Sequence, residues 1–195
     1  MPLRIFLISH AATAAMRSGR FPADDALDQR GMEATQTWRS RVAAMPATTA
    51  FRSAASCVGD TARLLNVEAT IAPALNETDY GRWAGQRLAD IAATEPDALA
   101  TWLSDPQAAP HGGASFEAMA RRVGAWLDDL PDTPATIIAL THASVARAAI
   151  IHALGAPLAA HSRIEIAPLT MVELRRSARG WHWIANVPEW MENAT

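Results

Sequence analysis

The sequence of 195 residues has only one cysteine, Cys57, and no strong excess of either charge. A single cysteine excludes an intrachain disulfide and is compatible with a reducing compartment, so we expect a cytoplasmic protein. Arginine and lysine total 17 against 20 acidic residues, which gives no global attraction to nucleic acid or to an anionic membrane. We therefore expect neither nucleic acid nor a membrane as a partner.

Long hydrophobic runs are also missing, and no segment approaches the length of a transmembrane helix. Residues 1–16 resemble a signal peptide only slightly, because their apolar run is short and His10 interrupts its end. Internal repeats, low-complexity tracts and interdomain linkers are absent as well. Since half of the residues are hydrophobic, this length predicts one domain with a substantial core, spanning residues 1–195.

Two short apolar runs each end at a histidine. Residues 3–8 are mostly apolar and are followed by Ser9 and His10, and residues 137–140 are followed by Thr141 and His142. Runs of this kind are typical of strands buried on both faces of a parallel sheet. Ligands of open α/β sheets bind at the carboxyl ends of the strands, so both histidines are candidate site residues.

The remaining pattern alternates strands with helices. We expect further strands at residues 48–53, 69–72, 169–177 and 180–187, and helices at 28–44, 59–66, 86–94, 97–103, 144–154 and after Ser115. Ala34, Trp38 and Val42 should pack on the sheet. This order predicts an α/β fold, a three-layer α/β/α sandwich with a mostly parallel central sheet and helices on both faces.

Two other segments have an expected arrangement. The Pro/Gly-rich residues 105–115 read as a mobile lid. The last two strands read as a hairpin through residues 178–180, which either closes the sheet or pairs across a homodimer.

Glu77 is a third candidate site residue beside the two histidines. Glu77 follows the strand expected at 69–72, so it should reach the same edge of the sheet. A carboxylic acid beside two imidazoles is a suitable proton donor for a leaving group. The small residues Ala143 and Ser144 after His142 allow a ligand to come close, and the N-terminus of a helix starting there favours an anion.

Six segments in chain order resemble motifs of one family. The sequence is similar to the histidine phosphatase superfamily, which has the phosphoglycerate-mutase-like fold. The segments are LISHAAT, ALDQRGMEA, SAASCVGDTARLL, LNETDYGRWAG, HGGASFEAMARRVGAWLDDL and LTHASVARAAI.

The resemblance implies hydrolysis of a small phosphorylated metabolite through a phosphohistidine. In that family role, His10 would accept the phosphoryl group, Glu77 would protonate the leaving oxygen and then activate water, and His142 would hydrogen-bond the phosphoryl oxygens. No metal or nucleotide cofactor would be needed. Residues expected to contact the substrate are Ser9, Thr13, Cys57, Ala143 and Ser144.

Several positions depart from the family pattern. Ser9 and Cys57 stand where the family has arginines that hold the phosphate, Ala11 and Ala143 replace the glycines after the histidines, and Ala114 replaces a glutamate. Guanidinium supplies permanently charged bidentate donors to phosphate, whereas a hydroxyl or a neutral thiol does not. Ordinary phosphatase chemistry should therefore be weak unless another arginine reaches the site; the candidates are Arg17, Arg20, Arg52 and Arg147.

Three functions follow from these residues. The first is a divergent phosphatase. The second is a pseudoenzyme that binds a small ligand or a partner in the same pocket without turnover. The third is a metal-binding pocket formed by His10, Cys57, Glu77 and His142, since imidazole, thiolate and carboxylate are all ligands of zinc and similar ions.

Overall fold

A six-stranded mixed sheet forms the centre of the protein in a computed structural model, which describes residues 3–185. The strand order is β3-β2-β4-β1-β5-β6. Strands β1 to β4 are parallel, and β5 is antiparallel to both β1 and β6. The strands are β1 (Leu3–Ser9), β2 (Thr49–Arg52), β3 (Thr70–Ile71), β4 (Thr136–Thr141), β5 (Met171–Ser177) and β6 (Gly180–Ile184).

Helices cover both faces of this sheet, which confirms the predicted α/β/α architecture. Helices α6 and α7 pack on the face that carries Ile5 and Ile137, and α2 and α3 pack on the face that carries Ile8 and Ile138. Neighbouring residues of a strand point to opposite faces, so the apolar runs of β1 and β4 supply both cores. The helices are α1 (Ala14–Arg17), α2 (Gln29–Ala43), α3 (Ser56–Leu65), α4 (Leu88–Thr94), α5 (Pro96–Ser104), α6 (Phe116–Asp128) and α7 (Ala143–Leu154).

Two details of the helices differ from the sequence prediction. Helix α3 begins at Ser56 rather than near residue 59, because the carboxylate of Asp24 accepts hydrogen bonds from the backbone and hydroxyl of Ser56. On α2, Ala34 is exposed, and the buried positions are Gly31, Thr35 and Val42. The face is rotated because Gly31 lies against the backbone of residue 12, where a Cβ would come 2.2 Å from a carbonyl oxygen.

The last predicted strand is partly outside the described residues, since residues 186 and 187 are not among them. Within the described part, β5 and β6 form the expected hairpin and complete one edge of the sheet. Between residues 3 and 185, none of the helices has the length and apolar character needed to cross a bilayer.

Candidate active site

The parallel pairing of β1 with β4 brings the two histidines together. Ser9 pairs with Thr141 in this register, and the backbone N–H of His10 donates to the Thr141 carbonyl over 2.8 Å. The imidazole centroids of His10 and His142 are 5.0 Å apart and lie edge to face. The structure therefore places both predicted histidines at one point on the carboxyl edge of the sheet.

Glu77 reaches the same point from the loop that follows the 3₁₀ turn Pro73–Leu75. Its Oε1 accepts from the backbone N–H of Thr78 over 2.7 Å and from the hydroxyl of Ser144. Its Oε2 is 3.7 Å from Nδ1 of His142, too far for a hydrogen bond. Ser144 thus holds the carboxyl of Glu77 beside the imidazole of His142, and Ser144 itself does not line the cavity.

Two residues not predicted from the sequence fix the Glu77 loop. The hydroxyl of Thr141 donates to the carbonyl of Leu75 over 2.7 Å. The guanidinium of Arg122, on α6, donates to the carbonyls of Ala74 and Asn76, the residues on either side of Leu75. A long-range contact of this kind has no local sequence signal.

Hydrogen bonds also determine which nitrogen of each imidazole carries the proton. Nδ1 of His10 lies 2.7 Å from the carbonyl oxygen of Ala11, which can only accept, so Nδ1 is protonated. Nε2 of His142 is 2.9 Å from the hydroxyl oxygen of Ser53, whose own proton goes to Oδ1 of Asn76 over 3.1 Å. His142 therefore donates through Nε2, and each ring keeps one nitrogen with a free lone pair.

Helix α3 supplies Cys57. The hydroxyl of Thr61 donates to the Cys57 carbonyl over 2.8 Å and accepts from the backbone N–H of Ala11 over 3.2 Å, which ties α3 to the His10 loop. Cys57 is only 6% exposed. Burial raises the pKa of its thiol to about 12, so the free side chain is neutral.

A cavity of about 280 Å³ opens at this site. Three acidic side chains line it against one arginine: Asp24, Asp25 and Glu77 against Arg20. The other lining residues are His10, Thr13, Ala15, Met16, Pro22, Ala55, Cys57, Thr78, His142 and Ala143. Sequence reasoning missed Asp24 and Asp25, because the route of the loop before α2 has no local signal.

Not every predicted ligand contact lies in this cavity. Thr13, Cys57 and Ala143 line it, but Ser9 and Ser144 do not. Ser9 is 1% exposed, and its hydroxyl donates to the carbonyl of Ala167 over 2.7 Å. This placement corrects the expectation for Ser9, whose side chain fixes the segment that leads into β5.

Among the four candidate arginines, only Arg20 lines the cavity, and its guanidinium also donates to the carbonyl of Gly85 over 2.9 Å. Arg17 pairs with Asp28, and Arg52 donates to the carbonyl of Ser53. Arg147 lines a neighbouring cavity of about 200 Å³. The described part of the chain therefore offers one of these four guanidinium groups to the site.

The loop at residues 105–115, expected as a lid, contributes to that neighbouring cavity instead. Its backbone is joined to the segment after Glu77: Ala114 donates to the carbonyl of Asp79 over 2.8 Å, and Arg82 donates to the carbonyl of His111 over 3.0 Å. None of its residues lines the His10 cavity.

Burial shifts the pKa values of His10, His142 and Glu77, and in each case it favours the neutral form. It lowers the pKa of His10, with a further contribution from His142, and it lowers the pKa of His142 to about 4. Burial raises the pKa of Glu77 despite its hydrogen bonds from Ser144 and Thr78. The site thus favours two neutral imidazoles beside a carboxyl group that holds its proton more tightly than usual.

The fold and this edge of the sheet define an α/β protein of the phosphoglycerate-mutase-like class. The profile of the histidine phosphatase superfamily (branch 1) matches residues 5–186, so the chain belongs to that family. This confirms the resemblance drawn from the sequence motifs.

Individual relatives agree with this assignment. The bifunctional protein Rv2228c of Mycobacterium tuberculosis is 29% identical in an alignment of 133 residues, and the match covers 63% of this chain and 35% of that protein. The chain thus matches about a third of the length of this curated relative.

Two solved structures share the fold. Bacillus stearothermophilus YhfR has a TM-score of 0.86 at 18% identity, covering 93% of this chain and 95% of its own. A putative alpha-ribazole-5'-P phosphatase from Escherichia coli has a TM-score of 0.85 at 23% identity, covering 94% and 95%.

Proposed function

We propose that the protein hydrolyses a small phosphate monoester through a phosphohistidine on His10. The observation that carries this proposal is the meeting of His10, Glu77 and His142 at one cavity, with proton affinities suited to the chemistry. Membership of the histidine phosphatase superfamily supports it. A cytoplasmic location and a small phosphorylated molecule as partner belong to the same proposal.

His10 acts as the nucleophile in this mechanism. The Ala11 carbonyl fixes the ring through Nδ1, which leaves the lone pair of Nε2 to attack phosphorus. A lowered pKa keeps the ring neutral, and only the neutral form has that lone pair. A phosphorus–nitrogen bond forms while the bond from phosphorus to the leaving oxygen breaks.

Glu77 moves the protons. Because its pKa is raised, Glu77 binds a proton more tightly than an ordinary carboxyl group, and in this mechanism it donates that proton to the leaving oxygen in the first step. The resulting carboxylate then removes a proton from water, which attacks the phosphohistidine and releases inorganic phosphate. Ser144 and Thr78 hold the carboxyl in place through both steps.

Few groups in the site can bind the phosphoryl oxygens, so we expect slow turnover. The groups that can hold them are Arg20 and the N-terminus of α7, which has no side-chain cap. His142 can donate to a phosphoryl oxygen only when it is protonated, which its lowered pKa disfavours. Asp24 and Asp25 oppose a second negative charge. Since removing one preorganised donor typically costs about 10²–10³ in rate, turnover should be lower than that of a site with a full set of guanidinium donors by at least that order.

Substrate size and character follow from the cavity. Its volume of about 280 Å³ suits a small ester, and Ala15, Met16 and Pro22 give part of its wall an apolar surface. Typical ligand pockets begin at about 300 Å³. We therefore expect a monoester with a small, partly apolar leaving group.

Leaving-group dependence tests the assigned roles. Phosphate release should be measured with an aryl ester, which has a good leaving group, and with an alkyl ester, which needs protonation. His10→Ala should abolish both reactions, whereas Glu77→Gln should slow the alkyl ester far more than the aryl ester. His182→Ala, an exposed histidine on β6, is the matched control and should leave both rates unchanged. Release that survives His10→Ala would overturn the mechanism.

A second candidate function is ligand binding without turnover. The observation that favours it is the acidic lining, because Asp24 and Asp25 oppose the second negative charge of a phosphoryl group. Asp24 also accepts from the backbone N–H of Ser56, so the N-terminus of α3 is already occupied by a carboxylate. In that case inorganic phosphate or a small ester binds in calorimetry while no product appears from any monoester. Robust, His10-dependent release by the purified protein excludes this function.

A further inference from the structure

Three side chains that bind soft divalent metals meet in the cavity. The ligand atoms of His10, Cys57 and His142 all lie within 4.8 Å of one another. Within residues 3–185, no other group of three or more histidine, cysteine or acidic side chains is as close. Zinc bond lengths place the ligands of a tetrahedral site roughly 3.3–3.6 Å apart, so side-chain movements of about 1 Å would complete this one.

The hydrogen bonds of the two histidines already hold their rings as a metal site requires. A ligating histidine usually donates its other N–H to a carbonyl or a similar acceptor, which fixes the ring. His10 does so through Nδ1 to Ala11, and His142 does so through Nε2 to Ser53. Each imidazole therefore keeps one lone pair in a fixed orientation.

The charges around the cavity also favour a cation. Asp24 and Asp25 line it against the single guanidinium of Arg20. The carboxyl of Glu77 lies beside one of the three side chains, with Oε2 at 3.7 Å from Nδ1 of His142, and adds an oxygen atom near the site. An ion with two positive charges would relieve this local excess of negative charge.

We propose that His10, Cys57 and His142 bind one zinc ion, or a comparable divalent ion, with a fourth position open to the cavity. Imidazole nitrogen and thiolate sulfur are both ligands that zinc takes in tetrahedral sites, and catalytic zinc sites keep three protein ligands and one open position. Binding forms a zinc–sulfur bond and releases the thiol proton to water, so the charge balances. The family resemblance implies no metal, so this site would be specific to the residues of this chain.

If His10 is the nucleophile of the proposed phosphatase, zinc bound at this site should inhibit phosphate release. The ion uses the lone pair of His10 that phosphoryl transfer needs. The zinc-loaded protein is therefore inactive through His10, and removal of zinc by a chelator restores phosphate release.

Cobalt(II) spectroscopy tests the site independently of activity. Untagged, chelator-treated protein should take up one equivalent of Co²⁺ and show a thiolate-to-cobalt charge-transfer band, which zinc then removes. Cys57→Ser should lose this band. It should also weaken zinc binding by more than about 100-fold, since the loss of a group that only hydrogen-bonds to a ligand already costs about 10–100-fold.

Further variants guard against misfolding. His10→Ala changes a residue that is not fully buried, and it should weaken zinc binding by a similar factor while circular dichroism stays unchanged. His182→Ala should bind zinc as the wild type does. Zinc affinity that is equal in wild type, Cys57→Ser and His10→Ala would overturn the proposal, as would cobalt binding without the charge-transfer band.

Activity measurements separate this proposal from the proposed function. Zinc binding that depends on Cys57, in a protein that releases no phosphate even when metal-free, supports the metal site and refutes the phosphatase. Phosphate release that is unchanged when zinc is saturating refutes the metal site and supports the phosphatase.

Discussion

Replacing His142 by glutamine should make the protein less sensitive to acid. His142 is 2% exposed, and burial lowers its pKa from 6.5 to about 4 in the folded protein. Its Nε2 donates to Ser53, and a glutamine amide can provide a similar donor without titrating. The variant therefore removes the titration while keeping a comparable hydrogen bond.

The sign follows from the order in which the two states take up the proton. As pH falls, the unfolded chain protonates this histidine first, near its ordinary pKa, and the folded protein resists until about pH 4. The free energy of unfolding therefore decreases between the two values. At 1.36 kcal/mol per pKa unit, the loss from about pH 7 to about pH 4.5 is about 2 kcal/mol.

Urea unfolding of both proteins at those two pH values measures this term. The wild type should lose about 2 kcal/mol more than His142→Gln on acidification. Glu77 has a raised pKa and contributes with the opposite sign, and His10 has a lowered pKa and contributes with the same sign, but both are present in each protein. An equal acid loss in the two proteins would refute a buried, neutral His142.

Two further pairs of substitutions test the site and the packing behind it. Cys57→Arg puts a guanidinium into the cavity wall and should raise kcat/KM for an aryl phosphate by about 10²-fold, whereas the neutral Cys57→Met should not. No gain in a folded Cys57→Arg variant would contradict the explanation that turnover is slow because guanidinium donors to the phosphate are missing. Gly113→Ala should lower the free energy of unfolding by about 1–3 kcal/mol, since its Cβ would lie 2.0 Å from the Asp79 carbonyl oxygen. Gly59→Ala, where the nearest contact is 3.5 Å in the interior of α3, should instead stabilise the protein by about 0.5–1 kcal/mol, and equal effects of the two changes would contradict this packing.

The parts of the fold that follow local rules could be predicted from the sequence. The apolar runs of β1 and β4 end where predicted, because burial on both faces requires nearly continuous apolar residues. Asp28 and Ser115 cap α2 and α6 through side-chain oxygens, which is the local chemistry that favours aspartate and serine at a helix N-terminus. The convergence of His10 and His142 then follows once β1 and β4 are neighbours.

The parts that depend on distant contacts could not be predicted. The start of α3 depends on Asp24, which lies 32 residues earlier. The acidic lining of the cavity depends on the path of the same loop, and the position of Glu77 depends on Arg122 from α6. Ser9 faces away from the cavity because its hydroxyl meets the segment before β5, far along the chain.

Direct detection of the phosphoenzyme tests the central claim. Metal-free protein should be mixed with a monoester, quenched rapidly in alkali, where phosphohistidine persists, and analysed by intact and peptide mass spectrometry. The proposed mechanism predicts one added phosphoryl group on His10, lost on acid treatment, absent in His10→Ala, and accumulating more from an aryl ester than from an alkyl ester in Glu77→Gln. Phosphate release at the wild-type rate with no phosphoryl group on His10, or with the group on another residue, would contradict it.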